Sequence, residues 1–288
     1  MDQKKRRALL TAVELGNLTR AAETLGYTQS GLSYLITSLE EELGFSLLVR
    51  SRSGVRPTAD CLTILPYFRD LERKLQQVEQ VAADIRGLVT GTVSIGVFHS
   101  IARYWLTDIL QDFDARYPGI TVHILEGDQE ALDTWLSEGT IDIAFCSRSA
   151  GGADLWIQFM EDEYFAVLPE HHPLAQVQAI SLPALKADPF ILTNGDYDLT
   201  RIFQEAGFQP NIRWSSHDEL VVLSLVKAGL GVSLLPGLHL QGDTTGAVVL
   251  PLHPRAHRQL GVSFSSLADL SPAAKRFLVS AKETMGIE

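Results

Sequence analysis

The residues near the N-terminus that are best suited to chemistry form a short polar run between Thr28 and Tyr34. Gln29 carries an amide donor and an amide acceptor side by side, so it can make paired hydrogen bonds to the edge of an adenine base. Ser30, Ser33 and Tyr34 add hydroxyl groups that both donate and accept. Grouped at the start of an exposed helix, such side chains are suited to read base edges in a DNA major groove.

Cations lie on both sides of this polar run. The hydroxyl of Thr28 and four arginines are predicted to contact backbone phosphates, which set register on DNA without reading sequence. These arginines are Arg20, Arg50, Arg52 and Arg56. The whole chain has a net charge of -11, yet residues 1–60 hold eight basic and seven acidic residues, and residues 90–288 hold 12 basic and 24 acidic ones. Only the N-terminal part is therefore suited to a polyanion, with ordinary solvated surface charge as the alternative interpretation.

Helical spacing of apolar residues predicts the elements that must hold this run in place. The small pair Ala21–Ala22 allows two helices to approach closely, as a helix-turn-helix requires. The expected helices cover 3–15, 19–25 and the residues between the N-cap Thr28 and Gly44, and the expected strands cover 46–50 and 55–58. The pattern indicates a winged helix-turn-helix over residues 1–60. A three-helix bundle with a hairpin and no role on DNA is the alternative.

The stretch from residue 18 to residue 58, LTRAAETLGYTQSGLSYLITSLEEELGFSLLVRSRSGVRPT, closely resembles the DNA-binding segment of LysR-type transcriptional regulators. The AAE-x-L helix, the T-Q-S-x-x-S start of the third helix, the I-x-x-L-E-x-x-L-G run and an L-x-x-R wing ending in threonine carry the resemblance. The chain differs from the family at Tyr34, where a basic residue is common, at Leu48, where phenylalanine is common, and at Cys61, where glycine is common. Tyr34 cannot make the bidentate contact to guanine that an arginine makes.

A narrow apolar stripe runs along residues 61–89 at alternating spacings of three and four. It predicts one long helix, and it consists of Cys61, Ile64, Phe68, Leu71, Leu75, Val78, Ala82, Ile85 and Val89. So narrow a stripe is suited to pack against the same helix of a second copy, while packing on the chain's own core is the alternative. In LysR-type regulators this segment is the linker helix that forms dimers, and the resemblance implies that role here.

From Gly91 onwards, strands and helices alternate, which favours α/β sheets with crossover helices. Strands are expected at GTVSIGV, TVHILEG, IDIAFC, YFAVLPE, PFILT, GVSLLP, VVLPL and LGVSFSS. Four segments resemble the LysR-type effector-binding domain, which is itself similar to periplasmic binding proteins: 91–96, 141–144, 171–175 and 229–236. The resemblance implies an α/β two-lobed periplasmic-binding-protein-like effector domain over 90–288, with lobe one at about 91–164 and 265–288 and lobe two at about 165–264.

A ligand is expected in the cleft between these lobes, outside the carboxyl ends of the strands. Ser100 lies where the first strand turns into a helix, so its hydroxyl and the helix N–H groups are placed to hold an anion such as a carboxylate. Neighbouring His99 can add charge or a hydrogen bond. Further candidates follow strands of the two lobes: Cys146, Ser147, Thr193 and Asn194. For each residue, a role as an ordinary loop or capping residue is the alternative.

Together these features predict a sequence-specific DNA-binding transcriptional regulator that is controlled by a small-molecule effector. The expected partners are double-stranded DNA, the effector and further copies of the chain in a homodimer or homotetramer, with RNA polymerase as a candidate.

No cofactor, metal ion, membrane contact or catalysis is expected. The G-x-S-x-G, G-x-x-x-x-G-K-[ST] and H-E-x-x-H motifs are absent, and no apolar run is long enough to span a bilayer. The N-terminus lacks the pattern of a signal peptide, so we expect the chain in the cytoplasm. An enzyme, a thiol redox switch at Cys146 and a solute-binding protein are the rival interpretations.

Overall fold

The structure is a computed structural model that describes residues 2–51, 54–148 and 155–287. These residues divide into two units, Met1–Glu79 and Gln80–Glu288, and each unit has its own apolar core. The predicted DNA-contacting residue Arg52 lies outside the described residues.

Three helices form the first part of the N-terminal unit, and each is delimited by its own capping residues. They are α1 (Gln3–Leu15), α2 (Leu18–Leu25) and α3 (Gln29–Leu43). A side-chain oxygen accepts a backbone N–H group at each N-cap, and these N-caps are Asp2, Asn17 and Thr28. A left-handed glycine ends each helix, at Gly16, Gly26 and Gly44. Because these signals are local, the predicted helix bounds agree with the structure to about one residue.

A two-stranded antiparallel hairpin follows the three helices. Its strands are β1 (Leu48–Ser51) and β2 (Gly54–Pro57), close to the expected positions. The Val55 amide donates to the Gly16 carbonyl at 2.9 Å, which ties the hairpin to the turn between α1 and α2. At Gly54 the backbone φ is +124°, and a Cβ there would lie 2.3 Å from the Gly16 oxygen, so this close approach requires glycine.

The long helix expected at 61–89 is present as α4 (Ala59–Ile85), which starts two residues earlier and ends four residues earlier than expected. Its first turns pack into the N-terminal core, where Cys61 and Phe68 are 0% and 2% exposed. Further along the helix, Leu71 and Val78 are 38% and 65% exposed. The apolar stripe therefore contributes to the core of the N-terminal unit in its first part and lies at the surface in its second.

The C-terminal unit alternates strands and helices, as expected. Its strands are β3 (Gly91–Val97), β4 (Ile120–Glu126), β5 (Ile143–Ser147), β6 (Leu155–Pro169), β7 (Pro189–Thr193), β8 (Asn211–Ser216), β9 (Ser233–Pro236), β10 (Ala247–Pro251) and β11 (His257–Phe264). Its helices are α5 (His99–Ile101), α6 (Thr107–Arg116), α7 (Gln129–Ser137), α8 (Tyr197–Glu205), α9 (Glu219–Lys227) and α10 (Pro272–Thr284). A π-helical segment, Ala102–Leu106, joins α5 to α6. Across the described ranges, no helix combines the length and the apolar composition that a membrane crossing requires.

Two lobes share the long strand β6. The first part of β6 pairs antiparallel with β11, and the sheet continues through β5 and β3 to β4. The last part of β6 pairs with β9 and β10 in the second lobe, where β7 also pairs parallel with β8. Since β3 is parallel to both β4 and β5, the carboxyl ends of these three strands meet at one edge of the first lobe.

Three features of this unit differ from the expectations. Residues 260–264 were expected in lobe two, but β11 pairs with β5 and fills the core of lobe one with Leu260 and Val262. Strand β6 begins at Leu155, well before the predicted YFAVLPE strand. Strand β8 was not predicted, because its residues are mostly exposed and show no apolar alternation.

Candidate nucleic-acid interface and ligand cavity

The polar start of α3 lies at the surface of the N-terminal unit. Gln29 and Ser30 are exposed, Tyr34 is 72% exposed and Ser33 is half-buried. The Thr28 hydroxyl accepts the Gly31 N–H group at 3.1 Å and so caps the helix. The polar side chains face outwards because the helical period turns the apolar residues towards the core, namely Leu32, Ile36 and Leu39. All four predicted base-reading residues thus lie at one helix end, and their contact with DNA stays a prediction.

Arg50 on β1 links the wing to α3. Its Nη1 donates to Ser33 Oγ at 2.7 Å, and its Nη2 donates to Thr37 Oγ1 at 3.4 Å. In the chain without DNA, Ser33 therefore holds Arg50 against the helix. Arg20 and Arg56 are exposed, as a phosphate contact requires.

A cavity of about 260 Å³ lies between the two lobes of the C-terminal unit. It opens at the carboxyl ends of β3, β5 and β7, where parallel strands commonly place ligands. Five of the six predicted ligand residues line it: His99, Ser100, Ser147, Thr193 and Asn194. The rule that ligands gather at strand ends therefore selected side chains that the fold does bring together.

Cys146 does not line this cavity. It is 1% exposed and belongs to a small core that includes Leu132 and Ile141. Successive residues of a strand point to opposite faces, so Cys146 cannot face the cavity when Ser147 does. The prediction that Cys146 contacts the ligand is therefore wrong, and Cys146 packs in the core instead.

Arg258 forms the centre of a buried polar network at the cavity. Its side chain is 5% exposed, and its Nε donates to Asp162 Oδ2 at 2.9 Å and its Nη2 to Ser100 Oγ at 3.3 Å. The guanidinium also lies 5.9 Å from the ring centre of Tyr164, whose hydroxyl donates to Asp196 at 2.7 Å. Burial alone would lower the pKa of Arg258, but Tyr164 and the carboxylates of Asp162 and Asp196 raise it above its ordinary value. The guanidinium therefore stays charged.

Carboxylates also line the cavity, and the sequence analysis did not propose them. They are Asp128, Asp196, Asp198 and Glu219. Asp128 follows β4 closely, so the strand-end rule could have found it. Glu219 follows β8, which leaves no clear pattern in the sequence. Arg258 lies within β11 and has no local signal, because its partner Asp162 is far away along the chain.

Burial shifts the pKa of several groups near the cavity. It raises the pKa of Asp196, against the opposing effect of Arg258, and it raises the pKa of Glu219. His239 Nε2 lies 3.5 Å from Glu219, and burial lowers the pKa of His239 to about 3, so that imidazole is neutral near pH 7. Within the described ranges, no cluster of three or more His, Cys, Asp or Glu side chains is arranged to hold a metal ion.

Two family descriptions match most of the chain. “Bacterial regulatory helix-turn-helix protein, lysR family” matches residues 4–62, and “LysR substrate binding domain” matches residues 86–286. The uncharacterized HTH-type transcriptional regulator YvbU of Bacillus subtilis (strain 168) is 30% identical over 280 residues, which cover 96% of each chain. This chain belongs to the LysR-type transcriptional regulators.

Solved structures share the fold of this LysR-type regulator. Full-length OxyR from Pseudomonas aeruginosa has a TM-score of 0.79 at 21% identity, and the match covers 98% of this chain and 95% of that one. The regulator CbnR has a TM-score of 0.70 at 21% identity, with 99% of both chains covered. The effector binding domain of QuiR, in complex with shikimate, has a TM-score of 0.61 at 21% identity and covers 68% of this chain and 98% of that one. The predicted family, fold class and function as an effector-controlled DNA-binding regulator are confirmed.

Proposed function

We propose that the regulator reads its operator with the polar start of α3. The side chains that contact bases are Gln29, Ser30, Ser33 and Tyr34, and those that contact phosphates are Arg20, Thr28, Arg50, Arg52 and Arg56. The observation that carries this proposal is the exposure of Gln29 and Tyr34 at one end of a helix whose other face is buried. A helix presented in this way can enter a major groove with its N-terminal residues towards the bases.

The cavity is the proposed effector site, with contacts from His99, Ser100, Ser147, Thr193 and Asn194. Ser100 is 3% exposed and already within 3.3 Å of the Arg258 guanidinium, so a ligand carboxylate at this point would meet a hydroxyl and a cation. The similar QuiR domain in complex with shikimate supports a small organic effector. At about 260 Å³, the cavity lies near the lower end of the usual ~300–1,000 Å³ for ligand pockets.

Effector binding is proposed to change the angle between the lobes. The Ser147 hydroxyl of the first lobe donates to the Asp198 carboxylate of the second, and both residues line the cavity. A ligand that bonds to either group competes with this contact between the lobes. Such a ligand binds the arrangement in which the contact is broken with a different affinity from the arrangement in which it is intact.

Self-association is proposed to occur through the exposed part of the apolar stripe on α4, where Leu71, Leu75 and Val78 follow helical spacing. A homodimer, or a homotetramer built from two such dimers, would present two α3 helices to roughly palindromic half-sites. RNA polymerase is a candidate partner of the DNA-bound regulator, and the cytoplasm is the proposed place of action.

The test of DNA reading uses Gln29→Ala with full-length regulator. Sites are first selected from random DNA by the unaltered protein, and affinities for a selected site and for random DNA are then measured at one salt concentration. Loss of a paired contact to adenine is expected to cost roughly 1–3 kcal/mol on the selected site and little on random DNA.

Gln204→Ala provides the matched control, because Gln204 is an exposed glutamine on α8 of the C-terminal unit and does not line the cavity. It should leave both affinities unchanged. An equal loss on selected and random DNA after Gln29→Ala would show that Gln29 does not read bases.

A further inference from the structure

We propose that the effector cavity accepts a small molecule that carries a protonated amine. This inference rests on the proposed role of the cavity as the effector site and names the chemical class that it selects. Ser100 alone suggests an anionic ligand group, and the present proposal adds an amine to it. An amino acid carries both a carboxylate and an ammonium group and would therefore meet both requirements.

The charge balance of the cavity favours a cation. Arg258 is the only lysine or arginine among its described lining residues, and its charge is matched by buried Asp162 at 2.8 Å. Asp198 is likewise matched by Arg201 at 2.9 Å. The remaining carboxylates, Asp128, Asp196 and Glu219, line the cavity and form no salt bridge with a lysine or arginine among the described residues, although the charge of Arg258 acts on Asp196 and Glu219 from nearby.

Three helix N-termini near the cavity are already occupied by the protein's own carboxylates. Asp128 accepts the Ala131 N–H at 3.0 Å on α7, and Asp196 accepts the Leu199 N–H at 3.0 Å on α8. Asp218 accepts an N–H group of α9 in the same way. At these three helix ends an anionic group would find the donors in use and would meet like charge, whereas an ammonium group would meet carboxylate oxygens.

Glu219 differs from the other two acids because it does not act as an N-cap residue. Its side chain is 19% exposed, and the nearest basic side chain, His239, is only 8% exposed and lies 3.5 Å away. His239 is neutral near pH 7 because burial lowers its pKa. Helix capping accounts for Asp128 and Asp196, whereas Glu219, at the first position of α9, is stabilised only by the helix N-terminus and a backbone hydrogen bond at its own position.

Thr193 gives an independent indication of a polar ligand. It is 4% exposed and lines the cavity, yet no described residue hydrogen-bonds its Oγ1. A buried hydroxyl without a hydrogen-bond partner lowers the stability of the folded protein by about 1–3 kcal/mol, so buried polar atoms normally have a hydrogen-bond partner. An ammonium group, which donates and cannot accept, would supply a bond to Oγ1 while its charge is balanced by the carboxylates.

The test compares pairs of probes that differ in the amine. Binding of γ-aminobutyrate and butyrate, and of 6-aminohexanoate and hexanoate, is measured on the full chain by titration calorimetry and by melting. Tryptophan fluorescence follows melting of the C-terminal unit specifically, because all four tryptophans lie there: Trp105, Trp135, Trp156 and Trp214. We expect the amine member to bind about tenfold or more tightly than its partner in at least one pair, as a charge-assisted hydrogen bond implies.

Glu219→Gln and Asp196→Asn are the test variants, and Glu170→Gln is the control, since Glu170 is exposed and does not line the cavity. The amine preference should fall in both test variants and persist in the control. Without any probe, Glu219→Gln should melt at a higher temperature than the unaltered chain, because it removes an unpaired, partly buried charge.

The proposal is overturned if no amine binds, if butyrate and hexanoate both bind as well as their amine partners, or if both test variants keep the preference. Binding of butyrate and hexanoate but not of their amine partners would be consistent with an effector site in the cavity and would refute the proposed preference for an amine. Failure of the regulator assignment itself would appear instead in the DNA measurements on Gln29→Ala.

Discussion

Replacing Arg258 by methionine isolates the energetic role of the buried charge at the cavity. Arg258 and Asp162 have side chains that are only 5% and 3% exposed, and two bonds of 2.9 and 2.8 Å join them. Methionine preserves much of the side-chain volume but leaves the Asp162 carboxylate buried without its cation. Breaking a buried pair by removal of one partner costs about 3–5 kcal/mol.

A double-variant cycle separates the unpaired charge from lost packing. Asp162→Asn keeps an oxygen that can accept the Leu238 N–H, which now donates to Asp162 Oδ1 at 3.0 Å. In Arg258→Met/Asp162→Asn neither member of the buried pair is charged, so stability should recover much of the way to the unaltered protein, short of the attraction that Arg258 also exerts on Asp196.

Tryptophan fluorescence during thermal melting is the appropriate assay, since it reports on the C-terminal unit alone. For a unit of this size, a loss of about 3–5 kcal/mol corresponds to a fall in melting temperature of roughly 6–20 °C. A loss below about 1 kcal/mol, or a double variant no more stable than Arg258→Met, would refute this account of the network.

Three further predictions concern single positions. If Arg50 contacts a phosphate, Arg50→Ala should weaken binding to selected and to random DNA alike and should reduce the slope of log affinity against log salt concentration by about one. An unchanged slope would contradict this contact. Gly54→Ala should destabilise the N-terminal unit by at least about 1–3 kcal/mol in denaturant unfolding followed by circular dichroism, because its Cβ would meet the Gly16 oxygen; unchanged stability would show that the turn relaxes. His239→Phe should reduce the loss of stability between pH 6.5 and about 3, since unfolded histidine binds a proton in that window and folded His239 does not; an identical pH profile in the variant would exclude this role.

Local signals in the sequence determined the winged helix-turn-helix and part of the cavity. Thr28 and Gly44 cap α3 through bonds to their own neighbours, so the helix and its exposed polar start could be predicted without the rest of the chain. Ser100, Ser147 and Thr193 follow predicted strands, and the ends of parallel strands meet at one edge whatever the details of packing.

Tertiary structure alone decided which side of each strand faces the ligand and which distant charges meet. Cys146 and Ser147 are neighbours in sequence, but the pleat of β5 sends one into the core and the other into the cavity. Arg258 and Asp162 come together only because β11 lies beside β6, a pairing between residues far apart along the chain. Capping and periodicity act over a few residues, whereas the charge of a cavity depends on which strands pair. The sequence therefore indicated that a ligand binds there, and the fold decided the electrostatic environment that it meets.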